Sequence, residues 1–206
     1  MPGWSVVVPV KRLEVAKTRL RPAVPATAHA ALVLAICLDT VAAALACSAV
    51  ARVLAVTNDA QADEALRAAG VTVVADEPDG GLNPALEHGA AMATAAAPLD
   101  PVAVLSSDLP ALRPAELAEA LLAARPHLRS FVSDSVGVGT TLLAAASGQS
   151  LRPAYGPASR AAHAASGACE LAGQWPSLRR DVDTAADLAE AAALGLGART
   201  HALLPF

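Results

Sequence analysis

The chain has 206 residues, of which 54% are hydrophobic and 2% aromatic, and a formal net charge of −4 at pH 7. That length suits one domain, expected over residues 1–206, with an Ala, Val and Leu core. The mildly acidic balance argues against nucleic acid or an anionic membrane as the main partner, since both need a basic face.

In chain order, Val6-Val7-Val8 ahead of Pro9 reads as a short buried strand. A basic loop follows, running from Lys11 through Lys17 and Arg19 to Arg21 and bounded by Pro22 and Pro25. A long helix is expected over 28–46. Part of it is apolar enough to be mistaken for a signal or a membrane span. However, it is mostly alanine, contains Asp39 and follows a strand, so it reads as a buried helix of a soluble, cytoplasmic protein. Next come a strand over 53–56, a helix over 60–69 stopped by Gly70, and a strand over 71–75. Further helices are expected over 84–96 and 114–124, with a strand over 102–105 between them. Beyond these, strands over 130–133 and 141–145 flank a polar loop, and a short helix over 159–165 has Ser159 at its N-cap. Val182 closes a last strand before a helix over 185–194. Strands alternating with helices of this length imply a parallel α/β sheet, and right-handed crossovers make it a three-layer sandwich. Cys37, Cys47 and Cys169 show neither metal-ligand spacing nor a paired framework, which fits a reducing compartment. The histidines are scattered without ligand spacing, and only His163 falls next to a candidate loop.

Several polar loops follow strand ends and can meet at one edge of the sheet. In Leu105-Ser106-Ser107-Asp108-Leu109-Pro110 an apolar strand empties into a turn bearing one carboxylate. In an open parallel sheet ligands sit at the carboxyl ends of strands. A carboxylate there can hold a divalent cation against phosphate oxygens, or it can cap the next helix. Lys11, Lys17 and Arg19 lie just past the first strand, where a triphosphate needs cations. Neither a dinucleotide glycine fingerprint nor a phosphate-loop motif follows that strand. Gly80-Gly81-Leu82-Asn83 offers close backbone approach and N–H donors at a helix start, or only a turn. Gly137-Val138-Gly139-Thr140-Thr141 and Tyr155-Gly156-Pro157-Ala158-Ser159-Arg160 combine flexible backbone with hydroxyls, which suits a small anion bearing phosphate and carboxylate. In Asp181-Val182-Asp183-Thr184, Asp183 can reach the same metal as Asp108 or cap the following helix.

Taken together and in order, these motifs resemble the 2-phospholactate / phosphoenolpyruvate guanylyltransferases of coenzyme F(420) biosynthesis. They comprise Val8-Pro9-Val10-Lys11 with Lys17-Thr18-Arg19-Leu20, Gly80-Gly81-Leu82-Asn83, Ser106-Ser107-Asp108-Leu109-Pro110, Gly137 to Leu143, Gly156-Pro157-Ala158-Ser159 and Val182-Asp183-Thr184. The resemblance covers nearly the whole chain. It implies a three-layer α/β/α sandwich of the nucleotide-diphospho-sugar-transferase type around a mostly parallel, mixed sheet. It also implies GTP as donor, a phosphorylated three-carbon acid as acceptor and Mg²⁺ as cofactor. By the same resemblance, Lys11, Lys17 and Arg19 are catalytic, while Gly80, Gly81, Leu82, Asn83 and Asp108 bind the nucleotide. Asp108 and Asp183 would hold Mg²⁺, and Thr141, Gly156 and Ser159 the acceptor. The preference for phosphoenolpyruvate over 2-phospho-L-lactate rests on the high-GC bacterial branch of that family. Two departures are Tyr155, where relatives tend to carry Phe, and Ser135 in place of a basic or polar residue.

The residues suit this chemistry on their own terms. Joining two polyanions is limited by repulsion and alignment, which cations and rigid loops address. An ionised phosphate needs no general base, and no convincing His or Cys base stands out. A cytidylyl- or uridylyltransferase and a non-catalytic nucleotide-binding module are the competing readings. A homodimer is left open.

Overall fold

The computed structural model describes residues 3–77 and 79–204. β-branched and leucine-rich runs form strands, because such side chains pack well on a pleated surface. The first half alternates β1 (Trp4–Pro9), α1 (His29–Leu45), β2 (Val50–Val56), α2 (Ala60–Ala68), β3 (Thr72–Val74), α3 (Leu82–Ala96), β4 (Val102–Leu105) and α4 (Pro114–Ala124). It continues with β5 (Arg129–Ser133), β6 (Thr140–Ala145), α5 (Ser159–Ala165), β7 (Cys169–Glu170), α6 (Pro176–Arg179), α7 (Ala185–Leu194) and α8 (Ala198–Ala202). Two 3-10 turns, Thr18–Ala23 and Ala26–Ala28, carry the basic loop into α1.

The strands form one sheet in the order β3-β2-β1-β4-β6-β5-β7. β6 pairs antiparallel with β4 and β5, and all other pairings are parallel. Alternate side chains of each strand supply the two faces. Val6 and Val8 pack with Val33 and Cys37 of α1, Leu66 of α2 and Leu117 of α4. Val7, Val56, Val104, Phe131 and Leu143 face the other way, toward Ala85, Leu86 and Ala93 of α3. This is the three-layer sandwich that the alternation implied, and β6 makes the sheet mixed, as the resemblance implied. At the α3–sheet contact, a Cβ on Gly89 would stand 2.6 Å from Val56 Cγ2 and 2.7 Å from Val7 Cγ1. The missing side chain lets helix and sheet approach.

The segment Ala26–Leu45 is long and apolar enough to cross a membrane by length and composition. Here Leu32, Ile36, Val41 and Ala44 are buried within the fold. Asp39 accepts hydrogen bonds from the N–H groups of Arg199 (3.2 Å) and Thr200 (2.7 Å), in the first turn of α8. Charge and packing both fit the expected core helix.

The second half departs from expectation at several points, the short helices α6 and α8 among them. No strand forms at Val182, whose N–H makes one bond, to Asp108 O at 3.0 Å, and no ladder. Ser159 is not a cap: Ala158 holds the N-cap position, and Ser159 is the first helical residue, 3% exposed. β7 was missed because two residues pairing with Ser130 and Phe131 leave no periodicity to read.

Candidate active site

At the carboxyl ends of β1 and β4 lies a cleft of about 340 Å³. Lys11, Lys17, Arg19, Asp108 and Asp183 supply its charged lining, and Val33, Ile36, Leu86 and Val104 part of its apolar lining. Asp108 follows β4 directly, and its neighbours hold the backbone from three sides. Leu109 N–H donates to Thr40 Oγ1 of α1 (2.9 Å), Val182 N–H to Asp108 O (3.0 Å), and Ser106 N–H to Thr141 O of β6 (2.9 Å). The carboxylate is therefore set in place before any ligand arrives.

Lys17 sits in the left-handed region, at φ 52° and ψ 40°. A non-glycine residue there stores strain, which fits a side chain held for a task. Its ammonium donates to Asp108 Oδ2 and to Asp183 Oδ1, and Arg19 donates to Asp183 Oδ2 at 2.7 Å. Burial opposes the Lys17 charge, but the two carboxylates outweigh it and hold the ammonium protonated more firmly than an ordinary lysine. Burial likewise works against the Asp183 charge, and Lys17, Arg19 and Lys11 overcome it and lower its pKa. At Asp181, burial and then the charges of Asp108 and Asp134 outweigh the opposing pull of Lys17 and push its carboxyl up to about 7. The thiol of Cys37, also lining the cleft, is pushed up to about 12 by burial and then by Asp108, so it is inert as a nucleophile. Asp59 anchors the near end of the basic loop: its carboxylate caps α2 through Ala62 N–H and accepts from Leu13 N–H, each at 2.9 Å.

The donor set suits a hard divalent cation. Asp108 Oδ1 is buried without a hydrogen-bond partner, and the Lys17 ammonium already marks the space between the two carboxylates as a cation position. Mg²⁺ is usually bound by one or two carboxylates plus substrate phosphates. Accordingly, no cluster of three or more His, Cys, Asp or Glu ligands occurs among the described residues.

The remaining expected site residues divide. Lys11 and Leu82 line the cleft, and Gly81 turns the chain into α3 at φ 102°, with Gly80 exposed before it. The Asn83 amide is engaged inside the protein, donating to Tyr155 O (3.0 Å) and accepting from Tyr155 N–H (2.8 Å). It therefore positions the Tyr155 loop. Thr141, Gly156 and Ser159 do not line the cleft, although Tyr155 beside them does. Thr141 Oγ1 is buried without a partner, Gly156 is exposed, and the N–H of Ser159 closes a turn onto Gly156 O at 3.2 Å. The Gly137–Gly139 loop spends its donors internally, with the N–H groups of Gly137, Val138 and Gly139 all bonded to the Asp134 carboxylate. The Tyr155 hydroxyl is buried and unpartnered, and burial then Asp108 raise its pKa.

Sequence reasoning missed Thr40, Asp59 and Asp134, each acting through backbone groups distant in sequence or hidden in a loop. Asp59, just ahead of a helical pattern, carried an N-cap signal, but its bond to Leu13 did not.

An open, mostly parallel α/β sheet with helices on both faces is the fold of the nucleotidyltransferases. Solved structures with this fold include a nucleotide-diphospho-sugar transferase from Desulfovibrio desulfuricans G20, with TM-score 0.66 and 20% identity, covering 91% of this chain and 85% of that one. A nucleotidyl transferase from Methanothermobacter gives TM-score 0.62 and 19% identity, covering 93% and 97%. More specifically, the chain belongs to the guanylyl transferase CofC like family, whose model matches residues 4–204. Among its relatives, a phosphoenolpyruvate guanylyltransferase of Salinispora arenicola is 59% identical over 97% of this chain and 92% of the relative. One of Streptomyces coelicolor is 57% identical over 97% and 95%.

Proposed function

We propose that this enzyme transfers the guanylyl group of GTP to phosphoenolpyruvate, releasing pyrophosphate, as a step of coenzyme F(420) biosynthesis. The observation that carries the reading is the Lys17–Asp108–Asp183 constellation at the carboxyl edge of β1 and β4. Family membership and the names of the relatives support the donor and the acceptor.

An ionised phosphate oxygen of the acceptor attacks the α-phosphorus of GTP, a phosphoanhydride forms, and the bond to the β-phosphate breaks. Lys11, Lys17 and Arg19 place positive charge along the triphosphate and offset its repulsion with the acceptor. Asp108 and Asp183 would hold Mg²⁺, which when bound supplies Lewis-acid polarisation of the phosphate oxygens. The rigidly held Asp108 turn and the Asn83-clamped Tyr155 loop fix the relative positions of the two substrates. No side chain has to remove a proton.

The test is a matrix of GTP, ATP, CTP and UTP against phosphoenolpyruvate and 2-phospho-L-lactate, with Mg²⁺ and pyrophosphate detection. The fastest release is expected with GTP and phosphoenolpyruvate. Faster release with 2-phospho-L-lactate overturns the acceptor, faster release with another nucleotide overturns the donor, and no release overturns the reaction.

A further inference from the structure

Lys17 reaches Asp108 and Asp183 from a left-handed backbone, at φ 52° and ψ 40°. That conformation costs free energy in a residue with a Cβ, so neighbouring contacts have to hold it. Ahead of Lys17 the chain is closed by the N–H groups of Val15 and Ala16, both bonded to Arg12 O (3.2 and 3.0 Å). After it, Leu20 N–H bonds to Lys17 O at 2.8 Å. One further bond comes from outside the loop. His29, the first residue of α1, donates through Nε2 to Ala16 O at 2.9 Å.

That carbonyl belongs to the peptide group whose nitrogen is that of Lys17. A peptide group is planar, so pinning its oxygen fixes the plane from which φ of Lys17 is turned. The ring that does so is only 5% exposed, and its Nδ1 is buried without a hydrogen-bond partner. A buried polar atom left unmet costs free energy, so an apolar side chain would suit this space better if packing were its only purpose. What histidine adds is the Nε2–H bond. His29 does not line the cleft, so any effect it has on substrates passes through the loop it holds.

We propose that His29 is a positioning residue: by fixing the Ala16–Lys17 peptide it keeps the Lys17 ammonium aimed at the carboxylates, in place for the triphosphate. The assignment rests on the guanylyl-transfer reading and names a residue outside the cleft on which Lys17 depends. A cation held ready spares the reaction the cost of ordering it, which is the advantage of a preorganised site.

The test is calorimetric binding of GTP with Mg²⁺, and pyrophosphate release with phosphoenolpyruvate, using the full-length protein. The wild type, His29→Leu and His29→Gln are compared, and His29→Leu is also added to Lys17→Met. In His29→Leu the affinity and kcat/KM for GTP are expected to fall about 10-fold, the upper end for one neutral hydrogen bond, with the KM for phosphoenolpyruvate unchanged. His29→Gln, whose amide can reach the same carbonyl, should return to within about threefold of the wild type. Once Lys17 is replaced, His29→Leu should cause no further loss. An equal loss in both backgrounds marks a structural role and overturns the proposal. So does a folded Gln variant no better than Leu, or a Leu variant that matches the wild type. If His29→Leu does not fold, solvent exchange of the His29 Nε2–H, read by NMR, decides in its place. Coupling between two residues is reciprocal, so exchange should be faster in Lys17→Met than in the wild type, and equal rates overturn the proposal. Binding and exchange need no group transfer. Their expected pattern without pyrophosphate release would sink the transfer reading and leave the role of His29 standing.

Discussion

At Asp108 the backbone and side chain have separate tasks. Thr40 and Val182 hold the main chain, which leaves the carboxylate to face Lys17 and the cleft. Asp108→Asn keeps shape and hydrogen bonding but removes a charge. Turnover is expected to fall about 10²-fold or more, the scale of losing one preorganised electrostatic contact, with the protein still folded. Near-normal pyrophosphate release from a well-folded variant would refute the metal assignment. Tyr155 makes the opposite case, a buried hydroxyl with no hydrogen-bond partner. Tyr155→Phe should melt no earlier than the wild type, since removing an unsatisfied group costs little. Its KM for the acceptor should rise about tenfold, the scale of one hydrogen bond to an anion, with that for GTP unchanged. A lower melting temperature, or a KM effect on GTP alone, would show that the hydroxyl serves another partner.

The elements divide into scaffold and presentation. α4 and β4 lie where pattern and punctuation put them, because Pro114 opens the helix and an unbroken apolar run of four residues makes the strand. α3 does more, since its first turn carries Leu82 into the cleft and Asn83 to the Tyr155 loop, while Gly89 sets its distance from the sheet. Gly89→Val would push two methyl groups toward Val7 and Val56. The expected destabilisation is about 1–3 kcal/mol, the usual cost of overpacking, read as a lower urea midpoint. An unchanged midpoint would mean that α3 floats above the sheet. Helix propensity alone would favour valine over that glycine, so the sign of the effect separates packing from propensity.

On the scale of the whole molecule, His163 ties the second half of the sheet to the loop that carries Tyr155. Ala154 N–H donates to Nε2 at 2.9 Å, so the neutral ring carries its proton on Nδ1 and donates it to Thr140 Oγ1, also at 2.9 Å. The ring packs between Phe131 and Tyr155, with centroids 5.8 and 5.1 Å away. Burial first, and Arg129 second, push its pKa from 6.5 down to about 4. A folded pKa below the unfolded one means that the unfolded chain takes up the proton first. The contribution to stability is therefore fully present above pH 6.5 and is lost as the pH falls from there toward about 4. His163→Gln removes that titration, so the melting-temperature gap between wild type and variant should narrow across the same interval. A gap independent of pH would show that the ring is not held neutral.

Composition, strand–helix alternation and loop motifs were enough to determine the sandwich, most element boundaries in the first half, and the candidates Asp108, Lys17 and Asp183. Each is a local signal: apolar period, a proline or glycine stop, or a charge just past a strand end. Where local signals ended, reading along the chain went astray, as with the strand at Val182, the cap at Ser159 and the unread strand β7. Val182 is fixed by one long-range backbone contact, β7 by a two-residue pairing and Ser159 by a turn onto Gly156, none of which leaves a periodicity to read. Only the tertiary structure brought Lys17 between carboxylates 91 and 166 residues away, and spent the Gly137–Gly139 donors on Asp134. It alone left Asp76 Oδ1, Asp108 Oδ1 and Tyr155 Oη buried and unmet. A sequence lists which groups can bond, but whether a partner or a ligand satisfies each one depends on what the fold packs beside it.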